Sequence, residues 1–273
     1  MLLATLLLSA LRLGSPQATP PTEAILAEGL RLYQSERSSW VATDLMLATT
    51  IDRSQIGGYL SYLEGDSVRT IFWAHEAAGT AGTPLLASYT FPRQDVRVGT
   101  ANFQPGRGFT PHEAQLFIIR KAAKAELKAD PKNYVTQPNT SLNLAMVEEA
   151  HETRVYVLTG SQEGGIVPIG NDYLLTFGPG GKLKSTERLH NSYLPLRWDA
   201  AKGETKAMLH SHLEAHPYIT PTDICSILLY RSKLPERQHY VIGQKYVSLF
   251  DIDKQQLVIF TRKAFEKIAN YKN

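Results

Sequence analysis

Residues Ala207–Cys225 read AMLHSHLEAHPYITPTDIC. The apolar lead-in to Leu209 suits a β-strand, in which alternate side chains face the same way. His210 and His212 therefore share one face. A polar loop follows, and then Thr220-Pro221-Thr222-Asp223 opens an apolar stretch from Ile224 to Tyr230. Thr at the N-cap, Pro at the first helical position and an acid at the third are the signature of a capped helix start. Strand, loop and helix thus succeed one another within one short segment.

Two imidazoles on one pleat can chelate a single Zn²⁺ at about 2.0–2.1 Å. Asp223 lies eleven positions after His212, across a loop long enough to return it to the same place. Two His, one carboxylate and a water form the open four-coordinate sphere of a catalytic zinc. The capping motif alone accounts for Thr220 and Asp223 without any metal, and it leaves the two histidines as polar residues at a strand end. Metal binding uses both histidines and Asp223 at one spacing. Cys225 is the only cysteine, so no internal disulfide and no cysteine-based cluster can form.

His210-Ser211-His212, seven residues, Thr220, two residues and Asp223 resemble the H-x-H-x7-S-x-x-D motif of the JAB/JAMM (MPN-type) zinc metalloproteases, with Thr for Ser. The resemblance implies zinc as cofactor, with His210, His212 and Asp223 as ligands. It implies that the Thr220 hydroxyl assists an oxyanion and that an upstream glutamate serves as general base. Glu148, Glu149, Glu152 and Glu163 are the candidates for that base. Glu163 is preferred because it follows a strand and adjoins Gly164-Gly165, which permits close approach. The implied activity is cleavage of an amide or isopeptide bond in a protein or peptide. The alternative is a non-catalytic binding module that retains the JAMM-like fold. His190 and His216 are spare candidates for a ligand or substrate contact. His75, His112, His151 and His239 stand singly and read as surface or hydrogen-bonded residues.

Outward from this segment the chain reads as α+β, a mostly antiparallel mixed sheet flanked by helices. Helical spacing covers Thr22–Gln34, with Thr22 as N-cap, and a second helical piece covers Trp40–Leu47. Gly58–Leu63, Val68–His75 and Leu85–Phe91 form a three-stranded meander. Pro111–Lys128 is the clearest helix, with Thr110 and Glu113 completing a capping box. Strands are expected at Leu142–Val147, Val155–Thr159 and Tyr173–Phe177, and Gly178-Pro179-Gly180-Gly181 turns the last into Lys182–His190. Leu194–Trp198 and Thr205–Leu209 precede the motif; Tyr240–Phe250, Leu257–Phe260 and a helix over Thr261–Tyr271 follow it. A boundary near residue 100 is expected to divide an N-terminal α+β region, 19–100, from a JAMM-like metal-binding domain, 101–273.

The 273 residues carry 29 Lys+Arg against 26 Asp+Glu, and the basic residues are spread, not striped, which disfavours nucleic-acid binding. Residues 1–18, an apolar run closed by Gly14-Ser15-Pro16-Gln17-Ala18, read as a signal peptide for export to the periplasm or outside the cell. That run is too short to span a bilayer, and the mature chain has no transmembrane candidate.

Overall fold

The computed structural model describes residues 20–197, 208–212, 214–234 and 236–270. The expected leader 1–18 and the start of the expected 205–209 strand lie outside the described residues. Among the described residues the chain is mixed α+β, with four α-helices and four sheets that are antiparallel but for one strand pair. No helix among them is long and apolar enough to cross a membrane.

Helix α1 spans Thr22–Leu47 without interruption, where the sequence suggested two pieces. Ser35, Ser38 and Ser39 look like helix breakers because their hydroxyls compete for backbone hydrogen bonds. Here they lie on the buried face of α1, beside Leu32, Val41 and Ala42. Ser38 Oγ meets Thr70 Oγ1 at 2.6 Å, and Ser39 Oγ meets Ser61 Oγ at 2.8 Å. Ser61 and Thr70 belong to β1 (Ile56–Glu64) and β2 (Ser67–Ala74), which pair antiparallel with β3 (Ala87–Pro92) and the short β4 (Asn102–Phe103). The sheet therefore satisfies the hydroxyls that would otherwise end the helix. Pro21, not Thr22, occupies the N-cap, and no side chain caps it.

Helix α2 (Pro111–Ala129) starts as expected, with both halves of the Thr110/Glu113 capping box formed. It packs over a second sheet of order β5-β6-β8-β9, from β5 (Thr140–Glu149), β6 (Glu152–Ser161), β8 (Tyr173–Phe177) and β9 (Leu183–Arg188). Leu60, Ile71 and Trp73 of the meander share one apolar cluster with Leu116 and Phe117 of α2 and Val155 of β6. The core thus runs continuously past residue 100. A ribbon of β7 (Ile166–Gly170) and β10 (Tyr193–Arg197) sets Pro168 opposite Pro195. The sequence gives no sign of β7, because proline cannot donate to a ladder and normally argues against a strand.

Near the motif, β11 (Met208–Ser211) runs parallel to β12 (Gln238–Ile242), and α3 (Pro221–Leu229) makes the crossover between them. The expected single strand Tyr240–Phe250 is instead β12 turning back into β13 (Tyr246–Asp251), which pairs with β14 (Gln256–Thr261) ahead of α4 (Arg262–Asn270). Gly243 makes that turn against the neighbouring loop, where an added Cβ would sit 2.7 Å from Pro217 O. Ile224 and Ile227 of α3 are fully buried with Val241 and Phe250. Helix α1 crosses α3 at Gly29, where a Cβ would fall 2.8 Å from that of Ile224. This packing anchors α3 so that its N-terminus meets the end of β11.

Glu36 of α1 is 2% exposed, and its Oε1 has no hydrogen-bond partner. Burial pushes its carboxyl up to about 7, against the opposing charge of Arg120. The native state therefore keeps a proton that the unfolded chain releases near pH 4.5. The associated stability is full below that value and is lost as pH rises through about 7, by on the order of 3 kcal/mol. Urea unfolding between pH 4 and 8 should show this decline, and Glu36→Gln should flatten it. Parallel profiles for the two proteins would refute the assignment.

Candidate metal centre

Alternation along β11 buries Met208 and His210 and exposes Leu209 and Ser211, and His212 continues the buried series. His210 Nε2 and His212 Nε2 lie 2.9 Å apart. The cap of α3 then supplies the carboxylate. Asp223 Oδ2 accepts from Thr220 N at 2.9 Å and from Thr220 Oγ1 at 2.8 Å, and Thr220 Oγ1 accepts from Asp223 N at 3.2 Å. One carboxylate oxygen serves the helix start. The other, Oδ1, is buried with no hydrogen-bond partner and lies 3.4 Å from His210 Nε2. The cap therefore leaves one carboxylate oxygen available to a cation, so capping does not compete with metal binding for this side chain.

His190 is the residue that local reading undervalued. Its Nε2 lies 2.7 Å from His212 Nε2 and 3.4 Å from Asp223 Oδ1. His190, His210, His212 and Asp223 each offer one ligand atom, and all four atoms lie within 4.8 Å of one another. Zinc bonds of about 2.0–2.1 Å arranged tetrahedrally separate ligand atoms by roughly 3.4 Å, close to the carboxylate–imidazole distances seen here. The group could hold a metal ion.

Each imidazole is held from behind through its other nitrogen. His190 Nδ1 donates to Asp172 Oδ1 at 2.6 Å, and His212 Nδ1 donates to Tyr218 O at 2.7 Å. His210 Nδ1 meets Nε2 of the fully buried His239 at 2.8 Å. Such outer partners fix ring orientation and leave Nε2 facing the centre, as metal-ligating histidines require. His239 read as a lone histidine in the sequence; its register opposite Met208 on β12 brings it behind His210. Asp172 reaches His190 because Leu189 N donates to Asp172 O across the β8–β9 hairpin.

The ionisation of these groups follows from burial and from one another. Burial alone would raise the Asp223 carboxyl, but His190 and His210 hold it well below the usual range. Burial alone would depress His190, and the two carboxylates of Asp223 and Asp172 lift it instead, to about 11. Burial and the neighbouring imidazoles push His212 down to about 4 and His239 down to about 3. The two carboxylates thus draw positive charge to the centre, while His212 stays neutral, the form in which imidazole ligates.

The remaining expected residues stand elsewhere or are otherwise engaged. The Thr220 hydroxyl is committed to Asp223 and to Thr222 Oγ1, at 2.8 Å each. Glu163 follows β6; Asn139 Nδ2 donates to its Oε1 at 2.5 Å, and its Oε2 lies 3.6 Å from Arg197. It lines a cavity with Trp40 and Tyr230, whereas His190 and His212 line a different one of about 250 Å³ with Arg188 and His216. Glu148 pairs with His112, Glu149 with Arg31, and Glu152 with Lys184. Among the described residues, no glutamate forms an ion pair with any of the four clustered groups. No model of a known protein family matches the chain, and no curated protein is significantly similar to it.

Proposed function

We propose that this chain is a zinc-binding protein whose ion is held by His190, His210, His212 and Asp223. The carrying observation is the convergence of four ligand atoms, backed by an outer partner for each imidazole. Three imidazoles and a carboxylate suit zinc among the divalent ions. Four protein ligands complete a tetrahedral sphere, the mark of a structural site rather than a catalytic one. That count, and the engagement of the glutamates elsewhere, favour a non-catalytic binding module over the hydrolase implied by the JAMM-like motif. The strand–loop–helix that carries the motif supports a JAMM-like arrangement around the site. Export of the chain remains part of this reading, on the strength of the apolar leader.

A second reading keeps the hydrolase. It is favoured by the 2.6 Å Asp172–His190 hydrogen bond and by the cavity that His190 shares with His212. In that reading His190, oriented by Asp172, holds the proton that the family's glutamate would hold, and a protein or peptide amide enters the cavity.

His190→Ala separates the two. With His190 as a ligand, the variant should lose more than about tenfold in zinc affinity, because loss of an outer partner alone costs that much. X-ray absorption of the parent should then show four protein donors. A variant that binds zinc as the parent does, but loses peptide or isopeptide cleavage shown by the parent, would overturn the closed site in favour of the hydrolase.

A further inference from the structure

A cleft of about 540 Å³ lies between α2 and strands β1 and β5. Arg120, Lys124 and Lys128 project into it from one stripe of α2, at four-residue spacing, and the lining contains no carboxylate. Like charges at that spacing repel and weaken a helix unless something neutralises them. Among the described residues none of the three lies within 4 Å of an acidic oxygen.

Arg120 is the unusual member. It is 6% exposed, its guanidinium lies 4.9 Å from the centre of the Tyr59 ring, and Nη1 donates to Leu144 O at 2.7 Å. Its Nε is buried with no hydrogen-bond partner. Burying a guanidinium that no acidic oxygen pairs is costly, and an oxyanion in the cleft would offset its charge. The acid whose charge reaches Arg120 is Glu36, on the α1 side, and its own ionisation is suppressed by burial. Burial and the Arg120 charge together push the Lys124 amine down, as expected where positive charge is in excess. Leu127, Leu142 and Tyr134 add apolar wall, and the volume falls in the range of small-molecule sites.

We propose that this cleft binds a small organic phosphate, its phosphoryl group between Arg120, Lys124 and Lys128 and its organic part against Tyr134, Leu127 and Leu142. Three cations suit a dianionic phosphate better than a carboxylate, and the apolar wall suits an organic ester better than the free ion. Asn143 lines the same space and offers a neutral donor.

The test is calorimetric titration of the full chain with phenyl phosphate at low salt, beside inorganic phosphate, benzoate and phenol. Phenyl phosphate should bind saturably, one per chain and at least tenfold more tightly than each of the other three. Lys124 is solvent-exposed, so Lys124→Glu should fold as the parent does, checked by circular dichroism, and should weaken phenyl phosphate binding at least tenfold. Stripping metal with a chelator should leave the binding unchanged. Absence of saturable binding would overturn the proposal, as would benzoate, phenol or inorganic phosphate binding as well as phenyl phosphate. Binding that survives Lys124→Glu yet vanishes with the chelator would also overturn it, by assigning the phosphate to the metal centre.

Discussion

Asp223→Asn should strip the protein of metal while leaving its fold recognisable. Asp223 is 1% exposed, and its Oδ1 faces His190 and His210 at 3.4 Å each. A neutral amide cannot supply that charge. Loss of a partner one layer further out already weakens metal affinity by about 10–100-fold, so loss of the ligand should exceed a hundredfold. The helix start should suffer much less, because Asn still caps: about 0.5–1 kcal/mol from the lost charge near the dipole. Zinc stoichiometry by mass spectrometry and thermal unfolding with and without metal check both parts. A variant carrying a full equivalent of zinc at the parent's affinity would reduce Asp223 to a helix cap. Thr220→Ala is the control, expected to cost about 1 kcal/mol through the cap.

Glu113→Ala should be the most destabilising change of a polar residue outside the metal centre. Glu113 is completely buried at the third position of α2. Its two oxygens accept from Arg107 at 2.6 and 2.7 Å, from Tyr62 Oη at 2.8 Å and from Thr110 N at 2.8 Å. Burial works against the charged carboxylate, yet these donors hold its pKa below the usual range. Truncation would leave a half-buried guanidinium and a buried phenol without their acceptor. Breaking a buried pair in this one-sided way costs about 3–5 kcal/mol. Chemical denaturation should show a loss of that size, and Glu113→Gln should recover part of it by keeping an acceptor for Tyr62 or Thr110. A Glu113→Ala loss under about 1 kcal/mol would mean that water replaces the carboxylate readily, contrary to the burial seen.

The two residues play the same local part on different helices. Thr110 and Glu113 open α2 as Thr220 and Asp223 open α3, each Thr followed by Pro and each acid closing the box. What differs is where the second carboxylate oxygen points. On α2 it meets the donors of Arg107 and Tyr62, so the group is structural. On α3 it meets imidazole nitrogens and lacks a hydrogen-bond partner, so the group is available to a cation. The capping chemistry was legible in both sequences; the direction of the free oxygen was not.

That contrast separates features set by neighbouring residues from features set by packing between distant segments. Strand alternation and helix capping act over a few residues, so they were readable. They determined the shared face of His210 and His212, the starts of α2 and α3, and the 178–181 turn. The α+β character followed from the same periodicities. The rest depends on surfaces meeting. The serines of α1 are helix-compatible only because Ser61 and Thr70 receive them, and β7 exists only because β10 pairs with it. His190 joins the centre from the end of the β8–β9 hairpin, and His239 arrives behind His210 by β11–β12 pairing, neither with any local pattern to announce it. On the proposed reading, His190 as a fourth ligand would change the chemistry from an open sphere to a filled one. Its place was set by packing between segments far apart in the chain, where spacing along the sequence carries no information.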